Sequence, residues 1–330
     1  MATITDVANL AGLSRSTVSR VMNNYPYVSD EKKRLVEEAM KKLNYYPNSS
    51  AQNLRSQKTD TVAVFIPMLT NPFFSYLLEG IDTVATENGF RLLVCQTRYD
   101  RKTEMKFFNL VKSKQVDGII LTSLENPWES IQDYTSYGPV VMCNEYDHAS
   151  KTPNVRLDQV YGGYIGTRHL VEKGHKKIAF CQGSFHSFIS KAREAGYRLA
   201  MEEFHLPAHD EWAFRIAADY HDGKEVMRRI AAMADRPSAI FTGSDQVAAG
   251  IVYEAKQLGF RVPEDLAVIG FDDQPIAEMT LPQLTTIRQP SHEIGERAMK
   301  LMLNLLLPPE EAPDLPENPL QLEIVERAST

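Results

Sequence analysis

Apolar residues in the first 43 positions recur at helical spacing. Val7, Ala8 and Ala11 supply one face of a first helix, which Thr3 and Asp6 open in a capping-box-like start and Gly12, free to turn left-handed, can end. Ser14 can cap a second helix, in which Thr17, Val18, Val21 and Met22 face inward while Arg15, Ser16, Ser19 and Arg20 point largely elsewhere. After a turn-like stretch at 23–27, Ser29 can cap a third helix whose Val36, Ala39, Met40 and Leu43 repeat at i, i+3, i+4 and i+7. Two helices joined by about three residues including a glycine predict a helix-turn-helix, which carries its second helix into the ~12 Å major groove of B-DNA. A plain three-helix bundle is the competing reading. The Arg and Ser content of helix two's outer face, where a packing face would be apolar, favours the first.

From residue 61 the period changes. Short apolar runs at 62–66, 92–95, 118–121, 140–143, 178–181, 239–241 and 267–271 alternate with amphipathic stretches at 73–88, 103–112, 161–173, 191–204, 223–233 and 246–258. This alternation predicts an α/β body of doubly wound parallel sheets. Eight or more strands exceed one comfortable sheet, so two lobes are expected, with a cleft where the carboxyl ends of the strands gather.

Composition adds class and partner. At 330 residues, 43% apolar and 24% charged, the chain has the make-up of an ordinary globular protein with at least two cores. It holds no run of ~18 apolar residues and no basic leader before an apolar stretch, so a cytoplasmic protein is expected. The first 58 residues carry nine Lys/Arg against five Asp/Glu, a charge of +4, within a chain whose net charge is −7. A basic head on an acidic body fits a nucleic-acid-binding module joined to a solubilising partner. Cys95, Cys143 and Cys181 each lie in an apolar run, the place of a buried reduced thiol rather than a disulfide or metal ligand. No GxxxxGK[ST] loop, HExxH pair, CxxC or GxSxG elbow occurs, and no metal or cofactor is expected. The glycines of Gly162-Gly163-Tyr164-Ile165-Gly166 have the wrong order for a dinucleotide loop and instead predict a helix that approaches its neighbour closely.

Ordered motifs then run the length of the chain. In the head they are Ile4-Thr5-Asp6-Val7-Ala8, Ala11-Gly12, Ser14, Thr17-Val18-Ser19-Arg20-Val21, Asn23 and Tyr46-Pro47-Asn48. In the body they are Asn71-Pro72-Phe73-Phe74, Asp117-Gly118, Gly174-His175-Lys176-Lys177-Ile178-Ala179, Arg193 with Ala195-Gly196-Tyr197, Ser244-Asp245, Ile269-Gly270-Phe271-Asp272 and Leu284-Thr285-Thr286-Ile287. With these the chain resembles the LacI/GalR (lactose repressor/purine repressor) family of bacterial transcription regulators. Through Asn24-Tyr25-Pro26-Tyr27-Val28-Ser29 its head looks like that of the catabolite control proteins.

The resemblance implies a helix-turn-helix head over 1–47, a hinge helix and linker over 48–59, and a two-lobed, periplasmic-binding-protein-like ligand-binding and dimerisation domain over 60–330. Lobe one would span about 60–159 plus 290–318, and lobe two about 160–289 plus 319–330. It further implies a repressor rather than an enzyme, a homodimer on a pseudo-palindromic operator. Positions matching the family's DNA contacts are Thr5, Ser14, Arg15, Ser16, Thr17, Ser19, Arg20, Asn23, Tyr45, Asn48, Ala51, Gln52, Leu54 and Arg55. Arg15 and Arg20 can donate in pairs to guanine, or merely hold phosphate, and Leu54 matches a leucine that wedges between base pairs from the minor groove. Positions matching the effector contacts are Phe73, Phe74, Ser123, Asp158, Arg193, Tyr220, Ser244, Asp272 and Gln289. Their aromatic faces and charge-assisted donors fit a sugar or sugar derivative. A protein corepressor is the alternative controller, and a sugar-binding transport protein with a basic head the alternative function. Without a leucine-heptad tail, a dimer is expected over a tetramer.

Overall fold

The computed structural model describes every residue except 1, 23–24, 47–57, 148, 184–186, 216 and 317. The chain divides into two compact units, Met1–Thr59 and Asp60–Thr330.

In the first unit, α1 (Ile4–Ala11), α2 (Arg15–Met22) and α3 (Asp30–Lys42) close on Val7, Val18 and Val36, all fully buried. The predicted capping box is present: the Thr3 hydroxyl accepts from the Asp6 amide at 3.3 Å, and the Asp6 carboxylate accepts from the Thr3 amide at 2.8 Å. Gly12 ends α1 at φ 66°. Ser14 accepts from the Thr17 amide at 3.1 Å, as its capping role requires. Ser29 corrects the expectation for α3. It stands at the cap, but its side chain makes no capping hydrogen bond; Asp30 and Glu31 in the first turn favour the exposed amides electrostatically instead. Met40 and Leu43 pack against this core while remaining half-buried.

The second unit is the expected α/β body. Its elements in chain order are β1 (Thr61–Ile66), α4 (Pro72–Glu87), β2 (Arg91–Gln96), α5 (Arg101–Lys112), β3 (Gly118–Leu121), α6 (Trp128–Ile131), β4 (Val140–Cys143), β5 (Asn154–Val155), α7 (Gln159–Glu172), β6 (Ile178–Gln182), α8 (Phe188–Glu203), β7 (Ala213–Arg215), α9 (Tyr220–Ala232), β8 (Ala239–Thr242), α10 (Asp245–Gln257), β9 (Ala267–Asp272), α11 (Ile276–Met279), β10 (Thr285–Arg288), α12 (Ser291–Leu306) and β11 (Glu323–Val325). One sheet has the order β2-β1-β3-β4-β5, all parallel; Val64 of β1 lies between Val94 and Ile120. The other runs β11-β10-β9-β8-β6-β7, repeating the same winding with β11 added antiparallel at its edge. The chain crosses from the first sheet's lobe to the second between β5 and α7, returns between β10 and α12, and crosses again before β11.

Three helix pairs flanking the sheets meet through reciprocal glycines. A Cβ on Gly163 of α7 would stand 2.1 Å from the Arg193 carbonyl oxygen, and one on Gly196 of α8 would stand 2.0 Å from that of Val160. Gly80 and Gly295 do the same for α4 and α12, and Gly223 and Gly250 for α9 and α10. The glycine-rich start of α7 therefore serves close helix packing, as its composition predicts.

Among the described residues no helix is long and apolar enough to cross a membrane, and no cluster of His, Cys, Asp or Glu could hold a metal ion. The three cysteines are free and buried, with the Cys95 thiol pushed up to about 11 by desolvation.

Candidate functional site

Two sites take shape, one on each unit. On the head, burial of Val18 and Val21 turns Arg15, Ser16 and Arg20 of α2 to the outside. Ser14 bridges to the hydroxyls of Ser16 and Thr17 at 2.8 and 2.9 Å, and the Arg20 guanidinium lies 5.8 Å from the Tyr25 ring centre. Thr5 is exposed on α1, Ser19 and Thr17 are half-buried, and Tyr45 packs on the head's core. The result is a cationic, hydroxyl-rich helix face with no apolar side chain to be covered. Asn23, Asn48, Ala51, Gln52, Leu54 and Arg55 lie outside the described residues.

On the body, every parallel strand near the middle of its sheet sends the residues just beyond its carboxyl end toward one cavity of about 130 Å³. At the ~10–15 Å³ a single water needs, this is room for a small organic molecule rather than one solvent site. Phe73, Phe74, Ser123, Arg193, Ser244, Asp272 and Gln289 line it, seven of the nine residues expected at the effector site. The other two lie outside the lining. Asp158 is an exposed cap of α7, spending its carboxylate on the Tyr161 amide at 2.9 Å. Tyr220 opens α9 and turns to Tyr253, with ring centres 5.8 Å apart, and to Lys224.

The lining also holds residues that were not among the expected effector contacts: Asn71, Tyr99, Glu125, Asn144, Glu145, Gln182 and Ser187. A positional signal could have found several. Glu125, Asn144, Glu145 and Gln182 fall at or just after apolar runs, where doubly wound folds place their ligand contacts.

Arg193 is the hub. Its guanidinium sits 3.4 Å over the Phe271 ring, donates to Gln159 at 2.8 Å and to the Gly243 carbonyl at 2.9 Å, and is 7% exposed. Gln159 passes the contact on to Asn144 at 3.2 Å and Gln289 at 3.4 Å. Asp272, at φ 101°, is held in a strained left-handed backbone by what surrounds it: its carboxylate accepts from Gln289 at 2.5 Å and Gln274 at 2.9 Å. Behind it Gly270 leaves room for the buried Asp245, which accepts from the Gln274 amide and the Thr286 hydroxyl, each at 2.6 Å. Glu145 ties the lobes directly, accepting from the Ser187 hydroxyl at 2.9 Å and the Phe188 amide at 3.1 Å, where α8's positive end favours a carboxylate. Phe73 and Phe74 meet edge to face at 5.1 Å, and Asn71 caps their helix.

Burial pushes Glu125 to about 7, helped by Glu104 and opposed by Arg101. Burial also takes Glu145 to about 7 against its hydrogen bonds, and Asp272 to about 6 against the pull of Arg193. Arg193 itself is drawn down to about 10 by burial, while Asp272 and Glu145 oppose the shift, so it stays charged at neutral pH. A carboxyl with a folded pKa above its unfolded value binds more protons in the folded state, so stability falls as pH rises through the interval between the two. His169 and His175, lowered by burial, act in the opposite sense and offset part of this fall near 6.5. Between pH 6.5 and 8 the glutamates therefore dominate, and the ligand-free protein should lose on the order of 5 °C of melting temperature. Thermal denaturation of the wild type and Glu125→Gln checks this: the variant should show a shallower fall, and a wild-type Tm that rises contradicts the assignment.

The profile of bacterial regulatory proteins of the lacI family matches residues 3–48, and that of the periplasmic binding protein-like domain matches residues 167–330. The NTD biosynthesis operon regulator NtdR of Bacillus subtilis (strain 168) is 44% identical over 299 residues, covering 91% of each chain. Catabolite control protein A of Priestia megaterium is 35% identical over 302 residues, again covering 91% of each. Among solved structures, the lac repressor dimer bound to operator and the anti-inducer ONPF superposes with a TM-score of 0.85 at 25% identity, over 99% of this chain and 98% of that one.

Proposed function

The chain belongs to the LacI family of bacterial regulatory proteins, DNA-binding transcription repressors with a periplasmic-binding-protein-like effector domain, and from that premise we propose that it acts as a homodimer on a pseudo-palindromic operator under the control of a sugar or sugar derivative. The observation that carries this is the presence in one chain of the outward face of α2, with Arg15, Ser16 and Arg20, and of a cavity lined from both sheets with Arg193 at its hub. Two copies related by a two-fold axis offer the same helix to two half-sites, which is why a symmetric operator suits them. Arg15 and Arg20 would read guanine edges in the major groove, each good pair giving ~1–3 kcal/mol of discrimination. Leu54, in the hinge, would wedge into the minor groove and bend the duplex.

Effector control follows as a population shift. A ligand that binds better to one arrangement of the lobes than to another changes the fraction of dimer able to dock both heads, and one with equal affinity for both changes nothing. The cavity suits a polyhydroxylated ring, with two phenyl rings for its apolar faces and carboxylate, amide and guanidinium groups for its hydroxyls.

Selection of duplexes bound from a random library tests the reading. The expected result is an enriched site with two symmetric half-sites, in which Arg15→Ala and Arg20→Ala each relax the preference at one guanine position per half-site. Enrichment of a single half-site overturns the dimer reading, and no enrichment overturns specific recognition.

A further inference from the structure

The cavity's ionisable groups are unbalanced in charge, and some of its buried acceptors lack partners. Among its described lining residues Glu125, Glu145 and Asp272 are acids, and Arg193 is the base. Several of the site's donors are spent within the protein: Arg193 donates to Gln159 and Gly243, the Gln289 amide to Asp272, and the Ser187 hydroxyl to Glu145. Some acceptors are left over. Gln182, 3% exposed, commits its amide nitrogen to Glu194 at 3.0 Å and leaves its Oε1 without a partner. The Ser123 Oγ, in a residue 5% exposed, is likewise unpartnered. Glu125, also 5% exposed, receives no hydrogen bond at its carboxylate from any described residue.

Buried polar atoms left unpaired cost free energy until something supplies the missing donor. A neutral hydroxyl supplies one. An ammonium group supplies three and a full positive charge, and its hydrogen bonds to carboxylates are roughly twice as strong as neutral ones.

We propose that this cavity selects an effector carrying a protonated amino group, an amino sugar rather than a neutral or anionic one, with Glu125 as the principal partner of the ammonium. The proposal rests on the reading of the cavity as the effector site. Phe73 and Phe74 provide the apolar face against which a sugar ring stacks, and Arg193 and Asp272 hold ring hydroxyls away from the amine. The upward shift of Glu125 and Glu145 in the empty site agrees: their charge is under-compensated, and a cation restores the balance. A phosphorylated or carboxylate ligand would have to bury its charge beside three acids.

Three ligands that share one ring test the idea by calorimetry at pH 7: glucosamine, N-acetylglucosamine and glucose, which present an ammonium, an amide and a hydroxyl at the same carbon. The expected result is that glucosamine binds at least about tenfold more tightly than either neutral ligand. In Glu125→Gln, isosteric and uncharged, that preference should shrink to threefold or less. Binding of glucose or N-acetylglucosamine as tight as that of glucosamine overturns the proposal but leaves the effector reading intact. Failure of all three to bind counts against both. A preference for glucosamine that survives unchanged in Glu125→Gln overturns the assignment of that carboxylate.

Discussion

Arg193→Ala should leave operator binding close to the wild-type value and abolish the response to effector, with ligand affinity falling at least about 100-fold. Two losses add. The ligand forfeits the charge-assisted hydrogen bonds of a guanidinium, and Asp272, which Arg193 holds down from a still higher pKa, is left as an acid with one fewer compensating charge. The head is a separate compact unit, so its fold does not depend on this side chain. The measurement pairs calorimetry with an operator gel shift, with and without ligand. A variant that still responds fully shows that the cavity is not the effector site. One that loses operator binding as well shows that Arg193 holds the body together rather than sensing a ligand, and Arg193→Lys, which keeps the charge but not the planar fork, should then behave the same way.

Gly196→Ala should cost the most stability, because two effects of opposite sign compete and packing wins. Alanine in a helix is favoured over glycine by ~1 kcal/mol. Were α8 merely near α7, the substitution would stabilise the protein. The added Cβ would instead stand 2.0 Å from the Val160 carbonyl oxygen and 2.6 Å from the Tyr164 amide nitrogen, both backbone atoms that cannot rotate away. Prising the helices apart costs at least the ~1–3 kcal/mol of ordinary overpacking, and backbone contacts this close belong at or beyond its upper end. The expected net loss is about 2 kcal/mol or more, seen as a drop of roughly 5–10 °C in melting temperature. An unchanged or raised Tm would mean that the two helices sit further apart than described.

The contrast between these two positions shows what the sequence could and could not tell. Arg193 was legible through the resemblance, in the motif with Ala195-Gly196-Tyr197, and because a charge does not bury well without a partner or ligand. The runs at 118–121 and 140–143 coincide with β3 and β4, and the other long strands end within a residue of their apolar runs. The strands β5, β7 and β11, two or three residues each, carry too few positions for a period to emerge, and β10, Thr285–Arg288, has no apolar run. The helix α12 went unmarked although Ile294, Ala298, Met302 and Leu303 keep helical spacing. Glu145 had only its position, two residues past an apolar run, to mark it, and its role emerges when the amino end of α8, more than 40 positions away in sequence, is laid against it. Asp158 and Tyr220 lie outside the cavity's lining, and each finds partners locally, in a helix cap and in a neighbouring aromatic ring.

The chain of contacts from Arg193 through Gln159 to Asn144 and Gln289 places Arg193 one hydrogen bond from a crossover between the lobes and two from another. In such a layout, affinity and gain share a component. A substitution that adapts the cavity to a new molecule by moving Arg193 also resets the tension in the segments that join the lobes, and with it the resting level of repression. A descendant of this protein that acquires a different effector would therefore have to acquire a new baseline along with it, and then recover the old one by changes elsewhere. Divergence in such a lineage should proceed in coupled steps, each change of taste followed by a correction of temper.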